Sequence, residues 1–175
     1  MVRLCFLCFF VFALLRSVAV AETVYIDGPI GPLGGDLTPI DDAADLVIIV
    51  PGSGNIDRDG NGPLGGLNTD LYKLLAEALF ERGISSIRID KRGLFSSADA
   101  IADANNVTLA DYADDVLNWA DYGTRHADCI WVAGHSEGAL VALFAAAERP
   151  EALCGLILLA SPGLQTVSSR PRWSD

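Results

Sequence analysis

Ile130-Trp131-Val132-Ala133-Gly134-His135-Ser136-Glu137-Gly138-Ala139-Leu140-Val141-Ala142 is the stretch on which the fold turns. An apolar, strand-like run from Ile130 to Ala133 passes through a G-x-S-x-G pattern straight into a helix-like run from Ala139 to Ala147. Such a chain must bend at once from strand to helix. The bend leaves the central serine on strained backbone with its hydroxyl exposed and nearby amides free to meet developing negative charge. Gly134 and Gly138 permit the close backbone approach that larger side chains would block. Five residues recur by chance, so the pattern gains weight only from its flanks, and here the flanks agree. Ser136 is the candidate nucleophile.

Outward from this bend, strands and helices alternate. Leu46 to Val50 is a continuous apolar run, as expected of a strand covered on both faces. Asn68 is positioned to cap a helix through Arg82, with Leu71, Leu74, Leu75 and Leu79 as its inward stripe and Gly83 as its stop. Ser86 to Ile89 reads as the next strand. Thr108 to Asp111 has capping-box spacing, with Asp in place of Glu, ahead of a helix reaching about Tyr122. Cys129 to Ala133 is a strand, and Glu137 to Glu148 a helix with almost no polar side, fit for the inside of a packed layer. Leu156 to Ala160 is a further apolar strand. Before this series, Val24 to Ile26 and Gly35 to Ile40 read as short strands around a Gly- and Pro-rich turn. Strand and helix in strict alternation after Leu46 predict an α/β domain with a mostly parallel sheet and right-handed crossovers.

The N-terminus is of another kind. Arg3, the apolar stretch Leu4 to Leu15 and the small-residue ending Ala19-Val20-Ala21 read as a cleavable signal peptide over residues 1–21, leaving one domain over 22–175. Arg16 makes the stretch too short and broken for a comfortable membrane span, so no stable span is expected after cleavage. The expected location is the periplasm or the exterior. The 175-residue chain carries 12 basic and 23 acidic residues, net -11, and losing Arg3 and Arg16 takes this to -13. That balance argues against a nucleic-acid partner, whose phosphates call for a basic face.

Cys5 and Cys8 belong to the leader, which leaves Cys129 and Cys154, each at the start of a strand. Neighbouring parallel strands would bring them level for a disulfide in an oxidising compartment. The reading leans instead to two buried free thiols, because adjacent strands do not guarantee bonding geometry. No Cys/His spacing suggests a metal, and no cofactor is expected.

Three landmarks together carry a resemblance. They are Pro51-Gly52-Ser53-Gly54 after the third strand, Asp90-Lys91-Arg92-Gly93 after the fourth, and Gly134 to Gly138 after the fifth. In these the chain resembles the N-terminal part of secreted bacterial α/β hydrolases of the serine aminopeptidase-like, S33-type group. The resemblance implies a three-layer α/β-hydrolase sandwich, truncated before its last strands. It also implies a serine hydrolase acting on a small-molecule ester, thioester or peptide substrate. By the same resemblance, Ser136 is the nucleophile, and the oxyanion hole is formed by the backbone amides of Ser53, or its neighbour Gly54, and of Glu137. The Asp90 turn braces the nucleophile region. Gly93-Leu94-Phe95-Ser96-Ser97 departs from related Gly-x-Gly-x-Ser turns at Phe95, which stands where the second glycine is common. The polar loop Asn55, Asp57, Arg58, Asp59 and Asn61 reads as solvated turn, since its spacing lacks the rest of an EF-hand.

A serine nucleophile needs a general base and an orienting acid. In the family both follow the strand ending here at Ala160. His135 adjoins Ser136 on one bend and suits packing or a local hydrogen bond. His126 precedes the strand whose far end carries Ser136, a separation of roughly 20 Å. The chain therefore reads as an incomplete hydrolase domain without its triad acid and histidine. The alternative is an inactive, hydrolase-like binding or oligomeric protein, in which a partner chain covers the last strand's apolar edge.

Overall fold

A computed structural model describes residues 20–163. Most of the leader-like segment, residues 1–19, and most of the mixed-polarity tail, residues 164–175, lie outside the described residues. No described helix is long and apolar enough to cross a membrane.

Six strands form one sheet: β1 (Glu22–Ile26), β2 (Leu33–Thr38), β3 (Asp45–Val50), β4 (Ser85–Ile89), β5 (Cys129–His135) and β6 (Gly155–Leu159), in the spatial order β1-β2-β4-β3-β5-β6. The pairs β1–β2 and β2–β4 are antiparallel, and the others parallel. Strand β2 begins two residues earlier than the expected Gly35, because Leu33 already pairs with Ile26. The helices α1 (Leu71–Phe80), α2 (Leu109–Gly123) and α3 (Glu137–Glu148) alternate with the parallel strands as the sequence predicts.

Strand β3 shows why its run is apolar throughout. Leu46, Ile48 and Val50 join a core with Val116 and Trp119 of α2 and Val141 and Ala142 of α3. Val47 and Ile49 enter a second core with Tyr72 and Ala76 of α1. Helices thus cover both sheet faces, giving three layers. The crossover from β3 leads to β4 on one side, whereas the next crossover places β5 on the other side of β3. The carboxyl ends of β3 and β5 therefore border a topological switch point, where open α/β sheets leave a crevice.

Three local expectations need correction. Asp70, not Asn68, is the cap residue of α1, and no side chain caps it; the Asn61 carboxamide oxygen instead accepts from the Thr69 and Asp70 amides. The inward stripe of α1 is Tyr72, Leu75, Ala76 and Leu79, and Leu71 and Leu74 are exposed. Leucine count suggested the wrong rotation, since leucine outweighs alanine in a stripe although Tyr72 and Ala76 are the fully buried residues of the helix. The third correction concerns the cysteines. Cys129 and Cys154 form a disulfide with Cα atoms 5.7 Å apart, and Cys154 is exposed. Register decides this, because the Cys154 amide donates to the Ile130 carbonyl and so brings the two strand starts level.

Helix α3 is covered on one face only among the described residues. Ala139, Val141, Ala142 and Ala145 are buried, whereas Leu143 and Phe144 are exposed. Beside it, edge strand β6 leaves Ile157 and Leu158 38% and 42% exposed.

Candidate active site

Strand β5 ends at His135, and α3 begins at Glu137. Ser136 between them has φ 52° and ψ -117°, a conformation that L side chains rarely adopt. The bend is held from both sides: the Ser136 amide donates to the Leu159 carbonyl at 2.8 Å, and the Ser136 carbonyl accepts from Ala139 at 3.0 Å. Glycine is required on both flanks. A Cβ on Gly138 would lie 2.6 Å from the Pro51 carbonyl oxygen, and one on Gly134 would strike the Gly138 carbonyl.

Pairing of β3 with β5 sets Val50 beside Gly134, so the turn after β3 meets the bend after β5. A Cβ on Gly52 would stand 3.4 Å from that of Ser136. Ser53 is exposed, and Gly54 has φ 84°. Ser53 and Ser136 line one cavity of about 360 Å³ together with Ile56, Leu67, Leu71 and Tyr72. Glu137 opens α3, where helix geometry leaves its amide without an intrahelical acceptor. Its carboxylate takes a direction the sequence does not reveal, accepting from the Lys91 ammonium at 2.8 Å. Lys91 is buried and also stands 5.3 Å over the Tyr112 ring.

Asp90 braces two loops. One carboxylate oxygen accepts from the Arg58 amide at 2.9 Å, and the other from the Ser96 hydroxyl at 2.6 Å and the Arg58 guanidinium at 3.3 Å. Arg58 also pairs with Asp36, which pairs in turn with the buried Arg88; Arg88 reaches Asp59 as well. These contacts fix the polar loop that follows Ser53. The Asp57 carboxylate accepts from the Asp59 and Asn61 amides at 2.9 and 2.8 Å, closing the loop on itself. Among the described residues no cluster of His, Cys, Asp or Glu is arranged to hold a metal ion. Phe95 has φ 46°, so the residue in the glycine's place adopts the left-handed conformation that a glycine would take there.

Sequence reasoning missed two side chains, Asp115 and Tyr72. Arg92 and Asp115 form a buried bidentate pair at 2.6 and 2.7 Å. Burial lifts the Asp115 carboxyl above the usual aspartate range against the pull of Arg92. Its signal was available: an acid one turn after Asp111, on the helix face bearing Trp119 and Val116, needs a partner. Tyr72 was missed because the leucines of α1 took its place in the stripe. Its hydroxyl accepts from the Gly52 amide at 3.2 Å and contacts Nδ1 of His135 at 2.9 Å. His126 lies against Tyr122, with ring centroids 5.3 Å apart, ahead of β5.

A family profile described as serine aminopeptidase, S33, matches residues 66–173. Among solved structures, the chain is similar to dienelactone hydrolase from Anabaena variabilis with TM-score 0.65 and 22% identity, over 83% of this chain and 65% of that one. It is similar to Est1E from Butyrivibrio proteoclasticus, solved with ferulic acid bound, with TM-score 0.60 and 25% identity over 76% and 50% of the two chains. A putative α/β hydrolase from Agrobacterium tumefaciens aligns with TM-score 0.59 and 26% identity over 80% and 60%. The chain thus spans 65% or less of the length of these three structures. No curated protein matches it. The matched profile covers more than half the chain, the sheet and helices follow the α/β-hydrolase order, and the chain belongs to the serine aminopeptidase S33 family of α/β hydrolases.

Proposed function

We propose that this chain supplies the nucleophile and oxyanion hole of an exported serine hydrolase that transfers an acyl group from an ester, thioester or amide to water. The observation that carries this reading is Ser136 at φ 52° on the strand-to-helix bend, against the Gly52–Ser53 turn. The Ser136 hydroxyl attacks the carbonyl carbon and gives its proton to a histidine other than His126 and His135, the two that these 175 residues contain. The amides of Ser53 and Glu137 meet the tetrahedral oxyanion, and the leaving group departs with the proton. Water then releases the acid and restores Ser136. Losing one such amide donor costs about 3 kcal/mol of transition-state stabilisation. Ile56, Leu67 and Leu71 along the cavity support an apolar group on the substrate. The Cys129–Cys154 disulfide supports an oxidising compartment and hence export.

The full-length protein is expected to form one covalent adduct with an alkyl fluorophosphonate, mapped to Ser136 by mass spectrometry and abolished by Ser136→Ala. Adduct on another residue overturns the assignment. One observation favours a second reading, a hydrolase-like binding or oligomeric protein. It is the exposure of Leu143 and Phe144 on α3 and of Ile157 and Leu158 on edge strand β6, which suits a covering chain. On that reading no adduct forms, and association persists in Ser136→Ala.

A further inference from the structure

Tyr72 is 2% exposed, yet its hydroxyl reaches both sides of the candidate active site. It meets the Gly52 amide of the turn after β3 at 3.2 Å and His135 Nδ1, one residue before Ser136, at 2.9 Å. One arrangement of protons satisfies all three groups from within the protein. A backbone amide can only donate, so Gly52 occupies one lone pair of the hydroxyl. A phenol has a single proton, and His135 Nδ1 is its acceptor within reach. A proton on Nδ1 would make the hydroxyl accept twice and leave its own proton buried without a partner, which is costly. The chain of donors therefore runs from Gly52 through Tyr72 to His135, with the ring's proton on Nε2.

We propose that Tyr72 is a positioning residue, whose hydroxyl clamps the oxyanion turn to the nucleophile bend and so aims the Ser53 amide at the reacting carbonyl. The proposal rests on reading Ser136 as the nucleophile. With its amide committed to Tyr72, Gly52 has no donor left for substrate, and the next amide along the turn is that of the exposed Ser53, on the cavity that Ser136 also lines. The turn lies so close to the bend that a Cβ on Gly52 would stand 3.3 to 3.4 Å from His135 and Ser136 atoms, which leaves little room there for any side chain. The same proton order leaves His135 with Nδ1 occupied and Nε2 protonated, which disqualifies it as the base for Ser136.

Tyr72→Phe keeps the ring in the α1 core and deletes only the hydroxyl. Donors aimed at developing charge act in the transition state, so the variant is expected to lose tenfold or more in kcat for a p-nitrophenyl ester, with KM within about twofold. Rates are taken per site titrated with the alkyl fluorophosphonate, so that loss of folded protein does not imitate the effect. Nitrogen-15 NMR of His135 in the full-length wild type gives a readout independent of turnover, with a bare Nδ1 and a protonated Nε2 expected. A variant with wild-type kcat per titrated site, or a wild-type ring protonated at Nδ1, overturns the role of Tyr72 and leaves the nucleophile assignment standing. Wild type without adduct at Ser136 defeats the hydrolase reading itself, and Tyr72's role with it. Should Tyr72→Phe fail to fold, the wild-type NMR result decides.

Discussion

Ser136 occupies backbone that costs an L residue roughly 1–2 kcal/mol, and the cost is met by the sheet and helix on either side of the bend. Removing the Cβ removes the strain. Ser136→Gly is accordingly expected to be about 1 kcal/mol more stable to urea than Ser136→Ala, although both lose the hydroxyl. Equal stability of the two variants would mean that the bend is not strained. The five-residue pattern already implied this conformation, because Gly134 and Gly138 have no other evident use. Tyr72 and Asp115 were less legible. Each is defined by a contact across the fold, with residues 63 positions away for the Tyr72–His135 pair and 23 for Arg92–Asp115.

At the scale of elements, α2 begins as its sequence predicts. The Thr108 amide donates to the Asp111 carboxylate at 2.8 Å, and the Asp111 amide donates to the Thr108 hydroxyl at 3.2 Å. Hydrogen bonds from Thr108 hold the Asp111 carboxyl below the ordinary aspartate value of 3.8, and those from Arg149 do the same for Asp121 near the other end of the helix. A carboxylate with a folded value below its unfolded one adds stability above the unfolded value, about pH 4, and loses it as the pH falls through the folded value. Urea midpoints of the Asp111→Asn, Asp121→Asn double variant should therefore fall less steeply on acidification than those of wild type. Both groups are solvent-exposed, so the difference is small, and an identical acid slope contradicts it. Helix α1 shows the limit of pattern reading. Several leucines mark it as a helix, but its rotation is fixed by Tyr72 and Ala76 fitting against β3 and β5.

For the molecule as a whole, the disulfide joins the starts of two strands 25 residues apart, across a loop that contains Ser136 and α3. Closing a loop of that length removes about 3 kcal/mol of unfolded-state entropy. Cys129→Ser is expected to lower the unfolding free energy by about that amount, and reduction of wild type to do the same. No change on reduction would mean that the bridge does not form in solution. The sheet also ends, among the described residues, at a strand whose Ile157 and Leu158 are exposed.

By itself the sequence determined the order of elements, the bend at Ser136, the capping of α2 and the family to which the chain belongs. Those features rest on local rules: periodicity of burial, glycine where the backbone crowds, and side chains that bond amides three residues away. Tertiary structure decided the rest. It chose which face of α1 is buried, paired Cys129 with Cys154, turned Glu137 toward Lys91 and joined Tyr72 to both Gly52 and His135. Each of these depends on strand register and helix rotation, which are set by packing across the sheet and leave no periodic trace along the chain.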